Sequence, residues 1–347
     1  MQRLSYLFFV LMLVISLGPL PGCSSEPAGK PVDGAGAKAE KVAPRKRFLA
    51  FGGGPTGGTF NFFANKIASI VSEKDETVDI APRGSGGSAE NLRSLNKNGL
   101  DMGIVYSGDA FLGRAGRLPG DTTHYDKVLA LGFLYGAPAQ LVVRADSDIH
   151  SVNDLSGRSV AVGNPGSGAA LSAERFLRHL GLWDKMKIRH LGYSQAAIDF
   201  ADRRIDAFWV LVGYPNSAII EAASLTPIRL LDLNAEAEAS GFYEKYPFYT
   251  RMEIPADTYA GQSDPVESFQ DSALWCANAG LDEAVVYESL KDIYSDEGIK
   301  ALSLAHKAAR GMTVETGLQS VSIPLHPGAV RFWKELGMDI PEGLLPK

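Results

Sequence analysis

Phe48-Leu49-Ala50-Phe51-Gly52-Gly53-Gly54-Pro55-Thr56-Gly57-Gly58-Thr59 is a short apolar run that breaks on glycine and leads straight into a helical pattern. Phe60, Phe63, Ile67, Ile70 and Val71 follow at helical spacing, which predicts a helix from Thr59. The same order recurs downstream. Val78-Asp79-Ile80-Ala81 reads as a strand, breaks at Gly84-Ser85-Gly86-Gly87, and gives way to a helix opened by Ser88 with Asn91, Leu92 and Leu95. Ser159-Val160-Ala161-Val162 breaks at Gly163-Asn164-Pro165-Gly166-Ser167-Gly168, ahead of Ala173, Phe176, Leu177 and Leu180 on one helical face. Between these lie the strands Asp101–Val105 and Gln140–Arg144, a short helix over Ser151–Leu155, and the very apolar Ala207–Val212, expected as a central strand. Strands alternating with helices predict an α/β fold with a parallel-rich sheet covered on both faces. Chain length favours two lobes. The crossings are expected near Val143 and Tyr246, so that 47–140 and 247–347 form one lobe and 141–246 the other.

The three glycine turns carry the chemistry. Each places free backbone N–H groups at a helix start, where the helix dipole also favours negative charge. Glycine lets a ligand approach the backbone, and Ser or Thr hydroxyls add donors of adjustable direction. One such turn is what any tight capped turn needs; three of them, two in one lobe and one in the other, point to a cleft for a small anion. Arg83, just before the second turn, either pairs with a ligand carboxylate or is a solvated surface arginine. The first turn lacks a Gly-Lys-Ser/Thr ending and the dinucleotide glycine spacing, so a nucleotide cofactor is not expected. The six histidines show no paired ligand spacing and no serine sits in a nucleophile elbow, so neither a metal nor a catalytic residue is expected.

The N-terminus bounds the setting. Arg3 precedes an apolar run, Leu4 to Leu20, that ends at Pro21-Gly22-Cys23, the pattern of a signal peptide over residues 1–22. Leu20-Pro21-Gly22-Cys23 resembles the bacterial lipoprotein cleavage box, which implies lipidation of Cys23; plain secretion with a chance cysteine is the alternative. Residues 23–46, rich in Ser, Gly, Ala, Pro and Lys, are expected to be a tether. An exported, membrane-anchored protein at the periplasm or cell surface follows from this reading, touching the membrane through its lipid alone. The second cysteine, Cys276, lies in Ala273-Leu274-Trp275-Cys276-Ala277 and is expected to be a buried thiol. The net charge is −6, and with no basic cluster after the tether a nucleic-acid partner is not expected.

In their order, these segments resemble the TAXI family of solute receptors that serve TRAP transporters. The stretches are Gly57-Gly58-Thr59, Gly86-Gly87-Ser88-Ala89-Glu90-Asn91-Leu92, Asp101–Val105, Leu134-Tyr135, Leu155–Val160, Val162–Gly168, Asp206-Ala207-Phe208, Gly213-Tyr214-Pro215-Asn216, Tyr246–Tyr249, Ile254-Pro255 with Tyr259, and Ile323–Ala329. The resemblance implies a two-lobed type II periplasmic-binding-protein fold with two crossover strands. It implies a small carboxylate such as glutamate or 2-oxoglutarate between the lobes, and delivery to a sodium-coupled permease. The site residues it implies are Thr56, Gly57, Gly58 and Thr59 in the first turn, Ser88 and Asn91 in the second, Ser107, Tyr135, Ser167, Gly168 and Asn216; Phe60 joins them as a departure. Where the family usually reads Gly-Gly-Thr-Tyr-Tyr, this chain has Phe60 and Asn61; Tyr106 stands where Gln is frequent, and Ala169 where Thr is common. These departures suggest a different or more apolar ligand. A lipid-anchored sensor using the same cleft is the alternative to transport.

Overall fold

The computed structural model describes Lys46–Pro346, so the signal-peptide, Cys23 and tether expectations lie outside the described residues. Three strands and three helices alternate first: β1 (Arg47–Gly52), α1 (Thr59–Lys74), β2 (Val78–Arg83), α2 (Ser88–Asn96), β3 (Met102–Tyr106) and α3 (Ser107–Arg114). The long β4 (Val128–Arg144) follows. A second alternating set comprises β5 (Ser159–Ala161), α4 (Gly168–His179), β6 (Lys187–Arg189), α5 (Tyr193–Ala201), β7 (Ala207–Leu211), α6 (Ser217–Leu225) and β8 (Ile228–Leu230). The chain returns through α7 (Asn234–Ala239), α8 (Phe242–Lys245), β9 (Thr250–Ile254) and β10 (Val266–Asn278), and finishes with α9 (Glu283–Ile293), α10 (Asp296–Ala305) and α11 (Pro327–Glu335).

The strands run in the order β2-β1-β3-β10-β4-β7-β5-β6, with β8 on β4 and β9 on β10. Two parallel triplets, β2-β1-β3 and β7-β5-β6, stand at either side of the antiparallel pair β4 and β10. The α/β class and two-lobed arrangement expected from the sequence are therefore present, with parallel pairing confined to the triplets. β4 serves both: Val128–Pro138 pair with β10, and Ala139–Val143 with β7. β10 likewise pairs β9 with its first half and β3 with its last. It begins at Val266, later in the chain than the return expected near Tyr246. Ala207–Leu211 is central, buried throughout between β4 and β5, as its unbroken apolarity predicts.

Helix α1 shows why the sequence folds this way. Phe60, Phe63, Ala64, Ile67, Ala68 and Val71 recur on one face and are buried against the sheet, while Asn61, Asn65 and Lys66 do not join the core. Burying each large side chain of this stripe contributes about 1.5–3 kcal/mol. Cys276 is a free, buried thiol in β10, and burial pushes its pKa up.

Candidate functional site

Four helix starts meet at one small void between the lobes. Its lining includes Gly58, Thr59 and Phe60 at the start of α1, Gly87 and Ser88 at α2, Ser167, Gly168 and Ala169 at α4, and Gly192 and Tyr193 at α5. The remaining wall includes Tyr106, Asn164, Leu211 and Val212, and no charged side chain lines it. The void measures about 30 Å³, room for one or two waters. Outside their helices, the N–H groups of Thr59, Phe60, Ser88, Ala89, Gly168 and Ala169 have no backbone acceptor among the described residues. Glu90 lies at the rim, its carboxylate accepting the Gly86 N–H at 2.8 Å, while the four helix dipoles and the free donors inside create a field suited to an anion.

The hydroxyls reinforce it. Ser88 Oγ accepts the Tyr106 N–H at 2.9 Å, joining the α2 start to the end of β3 and leaving its own proton free to donate. Ser167 caps α4 by accepting the Ala170 N–H at 3.0 Å, with the same consequence. Gly87, with φ of 116°, occupies backbone space closed to residues with a side chain. Phe60 supplies an apolar wall, its ring 4.7 Å from that of Tyr106 and 6.4 Å from that of Tyr135.

Direct contacts hold the lobes shut. Tyr106 Oη donates across the cleft to the Leu211 carbonyl at 2.5 Å, an oxygen that Tyr193 Oη, from the same lobe as Leu211, also reaches at 3.2 Å. Ser217 Oγ donates to the Gly57 carbonyl at 3.2 Å, and Thr59 Oγ1 lies 3.5 Å from the Gly213 carbonyl. Burial pushes the Tyr106 and Tyr193 phenols up, so both remain donors. Deeper in, Arg175 of α4 donates to Asp109 of α3 and to Tyr249 Oη at 2.9 Å, a buried ion pair between the lobes.

Of the residues predicted from sequence, Gly58, Thr59, Phe60, Ser88, Ser167 and Gly168 come together here. The others do not line the void. Thr56 is exposed, and Gly57 turns its carbonyl to Ser217. Arg83 is exposed at the end of β2. Asn91 is fully buried and clasps the backbone: its Nδ2 donates to the carbonyls of Gly52, Gly53 and Ile104 at 3.1, 2.6 and 2.9 Å. Ser107 Oγ donates to the Ser320 carbonyl at 2.6 Å, and Tyr135 is buried with its ring 4.8 Å from that of Phe63. Asn216 caps α6, its Oδ1 accepting the N–H groups of Ala218 and Ile219. Sequence reasoning missed Gly192, Tyr193, Asn164 and Leu211 as lining residues; Gly192 directly before a helix was the available signal.

Residues 51–337 match the NMT1-like family along almost the whole described chain. This chain belongs to the NMT1-like family. Solved structures of solute-binding and transport proteins also match the NMT1-like chain, at low identity. The aliphatic sulphonate binding protein SsuA of Escherichia coli is 16% identical, with 84% of each chain covered and a TM-score of 0.43. A putative L-cystine ABC transporter protein of Listeria monocytogenes is 14% identical over 74% of this chain and 94% of its own, with a TM-score of 0.47. A structure described under glutathione import via GshT and the cystine importer TcyBC of Streptococcus mutans is 15% identical. It covers 80% of this chain and 98% of its own, with a TM-score of 0.49.

Proposed function

We propose that this NMT1-like protein is an extracytoplasmic solute receptor of a transporter, and that it binds a small organic anion between its lobes without transforming it. The observation that carries this reading is the convergence of four helix starts, drawn from both lobes, on one void free of charged side chains. A carboxylate there takes hydrogen bonds from both halves at once, so binding favours the closed form over the open one. The void as it stands has room for one or two waters only, so the lobes must open to admit solute and close around it more widely than in this structure. The TAXI-like segments extend the proposal to a carboxylate delivered to a sodium-coupled TRAP permease, from a receptor anchored at Cys23.

Two experiments test it. Native mass spectrometry of the protein from its source is expected to show a bound organic acid that denaturation releases. Titration calorimetry with glutamate and 2-oxoglutarate is expected to give saturable binding by the wild type and about a tenfold or greater loss in Gly168→Val. Binding unchanged in that variant would remove the helix-start void as the site. Solute uptake driven by ATP and indifferent to the sodium gradient would end the TRAP assignment while leaving the receptor reading in place.

A further inference from the structure

A second cavity lies beside the first and is far larger, about 610 Å³. It too is lined from both lobes: Phe133 and Gly136 of β4, Gln270 of β10, Tyr214 after β7, Met252 of β9, and the 3₁₀ turn Lys307–Gly311. Gly213 separates the two spaces, since an added Cβ there would meet Thr59 on one side and Ala308 on the other. From these features we infer a second ligand site, for an organic anion with a compact, doubly charged head and an apolar or aromatic body.

Three observations carry it. Lys307 and Arg310 are three residues apart in a 3₁₀ turn, where such side chains eclipse, so both cations stand on one face beside the cavity. Neither enters an ion pair among the described residues, and the only carboxylate of the lining is the exposed Asp257. Gln270 lies over Gly136, where any Cβ would collide with its amide, and Gln270 Oε1 is buried without a hydrogen-bond partner. That carbonyl oxygen only accepts, so it suits an N–H or O–H on the body of a ligand and not its anionic head. Phe133, Tyr214 and Met252 give the apolar wall, and the volume falls in the range of small-ligand pockets, roughly 300–1,000 Å³. Two adjacent cations suit a phosphonate, a phosphate monoester or a short dicarboxylate end, each able to accept several charge-assisted hydrogen bonds. Because both lobes line the cavity, its occupant also favours the closed form, and by linkage it raises the affinity for a solute at the helix starts.

The test uses phenylphosphonate as probe, which joins a dianionic head to an aromatic body, with inorganic phosphate as the head alone. Calorimetry on the full chain is expected to show phenylphosphonate binding, weaker binding of phosphate, and a loss of about tenfold or more in the Lys307→Ala/Arg310→Ala double variant. Both positions are exposed, and circular dichroism checks that the variant folds. Gly168→Val, which wedges the lobes apart at the helix-start void, is expected to lose less phenylphosphonate affinity than the double variant, because it leaves both cations in place. No phenylphosphonate binding by the wild type up to millimolar concentration, or equal affinity in the double variant, would overturn the inference. Loss in Gly168→Val alone would also overturn it, while supporting the helix-start site.

Discussion

A methyl group added at Gly168 would sit 2.3 Å from the Tyr106 ring and 2.9 Å from the Ser88 Cβ. No real Cβ sits that close, and the obstacles belong to the opposite lobe, so the strain is relieved by parting the lobes rather than by unfolding α4. Gly168→Ala is therefore expected to leave unfolding free energy within about 1 kcal/mol of the wild type. Its radius of gyration in small-angle scattering is expected to rise and its solute affinity to fall. A variant as compact as the wild type would show that Tyr106 simply moves aside. Asn91 offers the opposite case. It clasps three carbonyls inside one lobe, and its removal strands buried acceptors, so Asn91→Ala is expected to lose about 2–4 kcal/mol in urea unfolding. Solute affinity of its folded fraction is expected to stay unchanged. A pure affinity loss would return Asn91 to the ligand.

Elements α3, α4 and β10 meet at a buried charge cluster with its own pH signature. Asp271 of β10 accepts the N–H groups of Gly108 and Ser272, and it faces Asp109 of α3, Arg175 of α4 and Tyr249. Burial first, and then the Asp109 charge, push its pKa up to about 8, more than Arg175 and the two N–H groups pull it down. In the unfolded chain the same carboxyl titrates at about pH 4. Between these values the native state holds one proton more than the unfolded state, so stability falls as pH rises through this window and levels off above pH 8. Urea unfolding from pH 5 to 9 is expected to show this decline, on the order of a few kcal/mol, and Asp271→Asn to flatten it. An equal slope in Asp271→Asn would place the proton elsewhere. At this scale the sequence was largely legible. The three glycine turns were found because each joins a periodic strand to a periodic helix, and they supply three of the four helix starts at the void. The α5 start escaped because β6 is only three residues long and Gly192 has no hydroxyl residue beside it on its N-terminal side. Asn91 and Asn216 meet backbone in this structure, and the sequence could not have shown it, because a polar side chain near a helix start reads alike whether it meets ligand or backbone. The Tyr106–Leu211 contact joins residues far apart in sequence, and nothing local announces it.

The whole molecule is a balance between two lobes that meet through few polar bonds across the void. Tyr106 Oη is the short one, 2.5 Å from the Leu211 carbonyl, and that oxygen keeps Tyr193 as a second donor if the first is lost. Tyr106→Phe therefore removes one hydrogen bond without leaving a buried acceptor empty, a cost of about 0.5–1.5 kcal/mol that falls on the closed form alone. If the open form is a minor state without ligand, that cost raises its population by roughly two- to twelvefold. Because the solute binds the closed form, its apparent affinity falls only in proportion to the closed population lost, by less than the shift in the opening equilibrium itself. Single-molecule distance measurements between labels on α1 and α6 are expected to show more frequent opening in Tyr106→Phe, with a faster solute on-rate because entry requires open lobes. Gly168→Ala pushes the same equilibrium by sterics, so the two variants should order themselves on one scale of openness, with affinity falling along it. Opening that increased while affinity rose would mean that the phenol occupies the solute's own place in the void, and that Tyr106 acts as an internal stand-in rather than a latch.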